Sequence, residues 1–149
     1  MTSIIENIKA RGENISPLEG HDRLQYLVDL ARDVPPLSNK DKTDENKIRG
    51  CASNLWVVGE MNHDHKMSYQ FDADSWITKG TARLVIECVQ QQPKDEIAKL
   101  TREDFNALGI KELLTVQRQN GLGNLIARIV GLAQQWIYHQ VGNHNHKHQ

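Results

Sequence analysis

Cysteine is scarce in this chain: 149 residues hold only Cys51 and Cys88, and they form no CxxC pair. That scarcity excludes a disulfide framework, a CxxC redox motif and a four-cysteine zinc or cluster site within one chain. An excess of charge of one sign is lacking too. The 18 basic and 19 acidic side chains leave a formal charge of −1, which gives no sequence-wide attraction to nucleic acid or to an anionic membrane. Long hydrophobic runs are also missing. The most apolar stretch, Leu122 to Ile137, is broken by Asn124, Arg128, Gln134 and Gln135, the pattern of an amphipathic helix rather than a membrane span. Met1 to Asn7 shows no basic region followed by an apolar core, so no secretory signal is read there, and a cytoplasmic, reducing location is expected. No internal repeat is visible. The length fits one domain, expected over residues 1–141, with a polar, His-rich tail at 142–149 expected to be disordered.

Hydrophobic periodicity supplies the elements. Leu24, Leu27, Val28 and Ala31 fall on one face of a helix within 19–34, and Pro35-Pro36 stops it. Residues 38–47 are nearly all polar and read as an exposed connection. Leu55 to Val58 and the alternating Met67, Tyr69 and Phe71 read as two antiparallel strands joined through Met61-Asn62-His63-Asp64-His65, with a weaker third strand at 47–50. Ile77, Thr81, Leu84, Val85, Cys88 and Val89 form a helical stripe after Asp72-Ala73-Asp74-Ser75, a run of good caps. Pro93 opens a short helix, Thr101 to Asp104 resembles a capping box for another, and Gly109 ends that one. Leu122, Leu125, Ile126, Ile129, Ala133 and Trp136 define a long final helix. The fold class is α+β, a small antiparallel sheet of about three strands covered by several helices.

The chemistry points to Cys51. It follows Gly50 and precedes Ser53 and Asn54 in a predicted loop, whereas Cys88 lies on a core-facing stripe. Local sequence leaves two readings of Cys51 open, a reactive thiol or a small buried hydrophobe. A mixed metal site with His63 and His65, or a hydrolase using His21 or His63, would each need a spatial partner that sequence does not show. Asp72 and Asp74 read more simply as caps at a helix N-terminus than as paired catalytic carboxylates. His144, His146 and His148 alternate in the tail, where a specific metal site is not expected. Arg118 carries a fork-shaped guanidinium suited to a carboxylate or to backbone carbonyls, which alone decides nothing.

Four motifs in order connect these residues: Gly50-Cys51-Ala52-Ser53-Asn54-Leu55-Trp56, Asp72-Ala73-Asp74, Lys79-Gly80, and Arg118-Gln119-Asn120-Gly121-Leu122. With them the chain resembles the SufE-type sulfur-acceptor family of iron–sulfur cluster assembly, in spacing and order from about Leu24 to Ile129. Gln117 and Ala73 stand where that family usually has serine, and Leu55 where it usually has valine, departures that bear on subfamily and partner preference. The resemblance implies a fold shared with IscU-type scaffolds, with Cys51 as persulfide acceptor and Arg118, with Asp74 as a second candidate, on the docking surface. It implies as partner a pyridoxal-phosphate-dependent cysteine desulfurase of the SufS or CsdA kind, which the protein would stimulate, and a downstream iron–sulfur scaffold as recipient. No cofactor or metal of its own is expected, the pyridoxal phosphate being the partner's, and homodimerisation is left open. A metal- or cluster-binding scaffold using Cys51 and histidines is the alternative.

Overall fold

The computed structural model describes residues 3–51 and 53–146, with 138–146 described as backbone only. Helix α1 (Ile4–Ile15) has no counterpart in the periodicity reading above. It is capped by the Ser3 hydroxyl, which accepts from the Glu6 amide, and it buries Ile4, Ile8, Gly12 and Ile15 along one face. Helix α2 (Gly20–Ala31) follows, with Leu27 and Ala31 buried.

Strands β1 (Leu55–Met61) and β2 (Met67–Ala73) pair antiparallel, from Leu55 opposite Ala73 to Met61 opposite Met67. The turn between them is organised by Asn62, whose Oδ1 accepts from the amides of Asp64 and Lys66. Each outer edge of this ribbon is covered over part of its length, which limits recruitment of other strands. On β2, Met67 exchanges backbone bonds with Gln91 and Gln92, and the Gln90 carboxamide accepts from the Tyr69 amide and donates to the Tyr69 carbonyl. On β1, the third strand expected at 47–50 proves to be one bridge, Lys47 opposite Trp56, carried by Val57 N–H to Asn46 O (2.9 Å) and Ile48 N–H to Leu55 O (2.7 Å). The pairing stops there because Gly50, at φ +80°, turns the backbone away from β1.

Helix α3 (Trp76–Val89) runs through the centre, with Ala82, Leu84, Val85, Ile86, Cys88 and Val89 fully enclosed. Ser75 caps it by accepting from the Thr78 amide. Asp72 and Asp74 therefore do not cap this helix as the sequence suggested. Asp72 is a buried β2 residue, ion-paired with Lys79 (2.9 Å) and Lys42 (3.2 Å) and accepting from the amides of Leu37 and Ala73. Gly80 lets α2 and α3 cross closely, since a Cβ there would collide with the Leu27 carbonyl.

Helix α4 (Lys94–Ala98) is short. The Thr101–Asp104 capping box is formed but opens 3-10 turns over Arg102–Leu108, ended by Gly109 at φ +67°. Helix α5 (Val116–His146) closes the domain. It passes the boundary expected at Gly142 without a break, no proline intervening to stop propagation. Residues 147–149 of the His-rich tail lie outside the described residues, as do the side chains of His144 and His146. Among the described residues no helix is long and apolar enough to cross a membrane.

Candidate functional site

Cys51 sits where three elements meet. The segment before it, 45–49, runs between β1 and α5 and uses its two edges differently. Its groups at 46 and 48 pair with β1, while its carbonyls at 45, 47 and 49 face α5. Asn124 donates from Nδ2 to the Arg49 carbonyl at 2.7 Å, and Arg128 donates to the carbonyls of Glu45 (3.0 Å) and Lys47 (3.3 Å). After Cys51 the chain is tied to the start of α3. Ser53 Oγ donates to Thr78 Oγ1 (2.9 Å), Asn54 Nδ2 donates to Asp74 Oδ2 (2.7 Å), and the Asp74 amide donates to the Asn54 carbonyl (3.1 Å).

Between these anchors Cys51 is half-buried and borders a cavity of about 20 Å3 shared with Thr78, Leu114, Arg118, Gly121, Leu122 and Leu125, among others. The wall is largely apolar, and burial pushes the thiol pKa above its ordinary 9.0. The resting side chain is therefore a protonated thiol at neutral pH. Gly121 makes the seat, because a Cβ there would stand 2.7 Å from Cys51 Sγ. Arg118 is partly exposed on the same cavity, and among the described residues its guanidinium makes no hydrogen bond or ion pair.

Cys88 is fully enclosed on α3 and donates to the Leu84 carbonyl at 3.3 Å. Burial first, with Arg11 and Glu87 acting in opposite directions, pushes its thiol up to about 11. Of the two thiols only Cys51 can meet a reagent without unfolding.

The structure brings Cys51 and Arg118 to one cavity and places Asp74, exposed, in the connection between β2 and α3, hydrogen-bonded to Asn54 of the Cys51 loop. It does not bring the histidines there. His63 and His65 are exposed in the β1–β2 turn, His21 is exposed on α2, and none lines the cavity. Among the described residues no three His, Cys, Asp or Glu side chains are grouped as metal ligands would be. The sequence shows Asn124 and Arg128 only as breaks in an apolar stretch, although a polar pair four positions apart on one helix is a readable signal of a shared contact.

The motifs now have structural meanings. Asp72 and Lys79 form the buried ion pair, Gly80 the helix crossing, and Gly50, Cys51 and Gly121 the thiol's seat. Fold and site together define a small α+β domain that presents one half-buried thiol on a loop. The family model described as "SufE: Fe-S metabolism associated domain" matches residues 10–133, and the chain belongs to that family. It is 37% identical over 112 residues to an uncharacterized SufE-like protein of Rhizobium etli, covering 72% of this chain and 76% of that one. A SufE-like protein 1 of Arabidopsis thaliana, chloroplastic or mitochondrial, is 33% identical over 104 residues, 70% of this chain but 28% of the much longer plant protein. The solution structure of a hypothetical protein from Thermus thermophilus superposes with a TM-score of 0.73 at 19% identity, covering 89% of this chain and 96% of that one, so the fold is shared.

Proposed function

We propose that the protein is a sulfur carrier that takes persulfide sulfur onto Cys51 from a pyridoxal-phosphate-dependent cysteine desulfurase, stimulates that enzyme, and passes the sulfur on for iron–sulfur cluster assembly. The observation that carries this reading is the seat of Cys51. It is the one loop thiol, and it abuts a small cavity with room for roughly one water-sized group, which suits a second sulfur atom. Membership of an iron–sulfur metabolism family supports it.

The step is thiol–disulfide exchange. The Cys51 thiol gives up its proton, its thiolate attacks the terminal sulfur of the donor's Cys–S–SH, and that S–S bond breaks. The donor sulfur leaves as a thiolate and takes up a proton, so one sulfane sulfur changes carrier with no net oxidation or reduction. Burial lowers the thiolate fraction of Cys51, so exposure of the thiol on docking to the partner favours the step. Enclosure afterwards shields the persulfide from oxidants and competing thiols.

Arg118 and Asp74 are the partner-binding candidates. Arg118 offers a fork that is unpaired among the described residues, and Asp74 is exposed in the β2–α3 connection beside the Cys51 loop. Two large apolar side chains in solvent flank the cavity walls in sequence: Trp76 (57% exposed) precedes Ile77 and Thr78, and Val116 (74% exposed) lies between Leu114 and Arg118. Exposed apolar groups beside a reactive centre are what a docking surface needs. On this reading the protein is not itself an enzyme and holds no pyridoxal phosphate. The test is intact mass after incubation with a desulfurase and cysteine: wild type gains a sulfur and Cys51→Ser does not.

A further inference from the structure

We propose that Asn124 and Arg128 are positioning residues that latch the Cys51 loop and set how often the thiol leaves its seat. The segment before Cys51 is held along both edges, but by bonds of different kinds. Its β1 edge is backbone to backbone, at Asn46 and Ile48. Its α5 edge is made wholly by these two side chains, reaching the alternate carbonyls of Glu45, Lys47 and Arg49 from positions one helical turn apart. The β1 edge ends at Ile48, so the Asn124 bond to the Arg49 carbonyl is the last tie before Gly50 and Cys51.

Gly50 makes that tie a pivot. It sits at φ +80°, and a Cβ there would stand 2.7 Å from Asn124 Nδ2, so the backbone lies directly against the carboxamide. Among the described residues, the next tie along the chain is Ser53 to Thr78. Release of Asn124 thus frees the residues that carry the thiol, while the β1 bridge and the Ser53 and Asn54 bonds persist. Helix α5 also supplies the opposite wall of the seat through Arg118, Gly121, Leu122 and Leu125. One rigid helix therefore both encloses the sulfur and holds the strand that delivers it, and a contact near Arg118 that shifts α5 would act on seat and latch together.

This deepens the carrier reading by naming what restrains the acceptor thiol, yet its test uses the chain alone. Iodoacetamide labelling of Cys51 is followed by mass spectrometry at one alkaline pH, with Cys88 labelling and the urea midpoint measured in parallel. Losing one net hydrogen bond corresponds to about a fivefold change in an opening equilibrium, so Asn124→Ala, which removes one bond, should speed Cys51 labelling about fivefold, and Arg128→Ala, which removes two, by about fivefold to twenty-five-fold. Arg128→Lys should fall between wild type and Arg128→Ala, since an ammonium still donates to one carbonyl. Cys88 should stay unlabelled, and the folding equilibrium read from urea unfolding should weaken by no more than the factor seen in Cys51 labelling. Unchanged Cys51 rates in both alanine variants would overturn the latch. So would a rise matched by Cys88 labelling, which would mean that opening is global, or an Arg128→Lys rate equal to that of Arg128→Ala. Sulfur transfer enters none of these readouts, so the latch and the carrier reading fail separately.

Discussion

At the scale of single residues, the account turns on a thiol kept protonated by its surroundings. Burial raises the Cys51 pKa above 9.0, so its alkylation rate at neutral pH should lie below that of cysteine in an unfolded peptide and rise with pH through a midpoint above 9.0. A midpoint below the free-cysteine value would contradict this. Gly121→Ala tests the seat itself. The new methyl would stand 2.7 Å from Cys51 Sγ and 3.2 Å from its Cα, so the thiol must move outward. Cys51 labelling should accelerate, while overpacking costs about 1–3 kcal/mol, partly offset by the helix propensity of alanine. Sequence made Cys51 and Cys88 distinguishable because a loop glycine and a helical stripe are local signals. It misread Asp72 because its partners Lys42 and Lys79 come from separate segments, and a buried ion pair has no local signature.

At the scale of elements, most helices and both strands were legible from periodicity, with boundaries within a few residues. Helix α1 was missed because its buried face is only three isoleucines and a glycine, diluted by polar neighbours. Its anchors are distant: Asn7 donates to the Cys88 carbonyl and Arg11 pairs with Glu87. The third strand expected at 47–50 is cut to one bridge where Gly50 turns the chain away from β1. Its residues do pair with β1, but their other edge is claimed by Asn124 and Arg128, so an extended segment becomes a tether for the loop. The α2–α3 crossing gives the prediction at this scale. Gly80→Ala places a methyl into the Leu27 carbonyl, which no side-chain rotation relieves, and should cost about 1–3 kcal/mol or more in urea denaturation. Wild-type stability in this variant would mean that the helices are not in backbone contact.

At the scale of the whole molecule, Asp72 ties the segment around Leu37 to Lys42, strand β2 and helix α3 into one unit. Burial pushes its carboxyl up, but Lys79, the Leu37 amide, Lys42 and the Ala73 amide together outweigh burial and hold it at about 2, against 3.8 when free. The lowered pKa means that the carboxylate stabilises the fold fully above pH 3.8 and that this contribution fades as pH falls toward 2. Its size is about 2 kcal/mol, so Asp72→Asn should flatten the acid limb of the stability curve by about that much, with urea midpoints measured across that range. An unchanged acid limb would contradict the tie. The same unit frames the loop, because Lys79 and Thr78 are neighbours on α3 and Thr78 receives the hydrogen bond from Ser53.

The central claim is that Cys51 carries one sulfur atom. Purified protein is incubated with a pyridoxal-phosphate-dependent cysteine desulfurase and cysteine, then its intact mass is taken before and after reduction. Wild type should gain one sulfur that reduction removes, Cys88→Ser should gain it equally, and Cys51→Ser should gain none. Sulfur retained on Cys51→Ser, or lost on Cys88→Ser, would contradict the account.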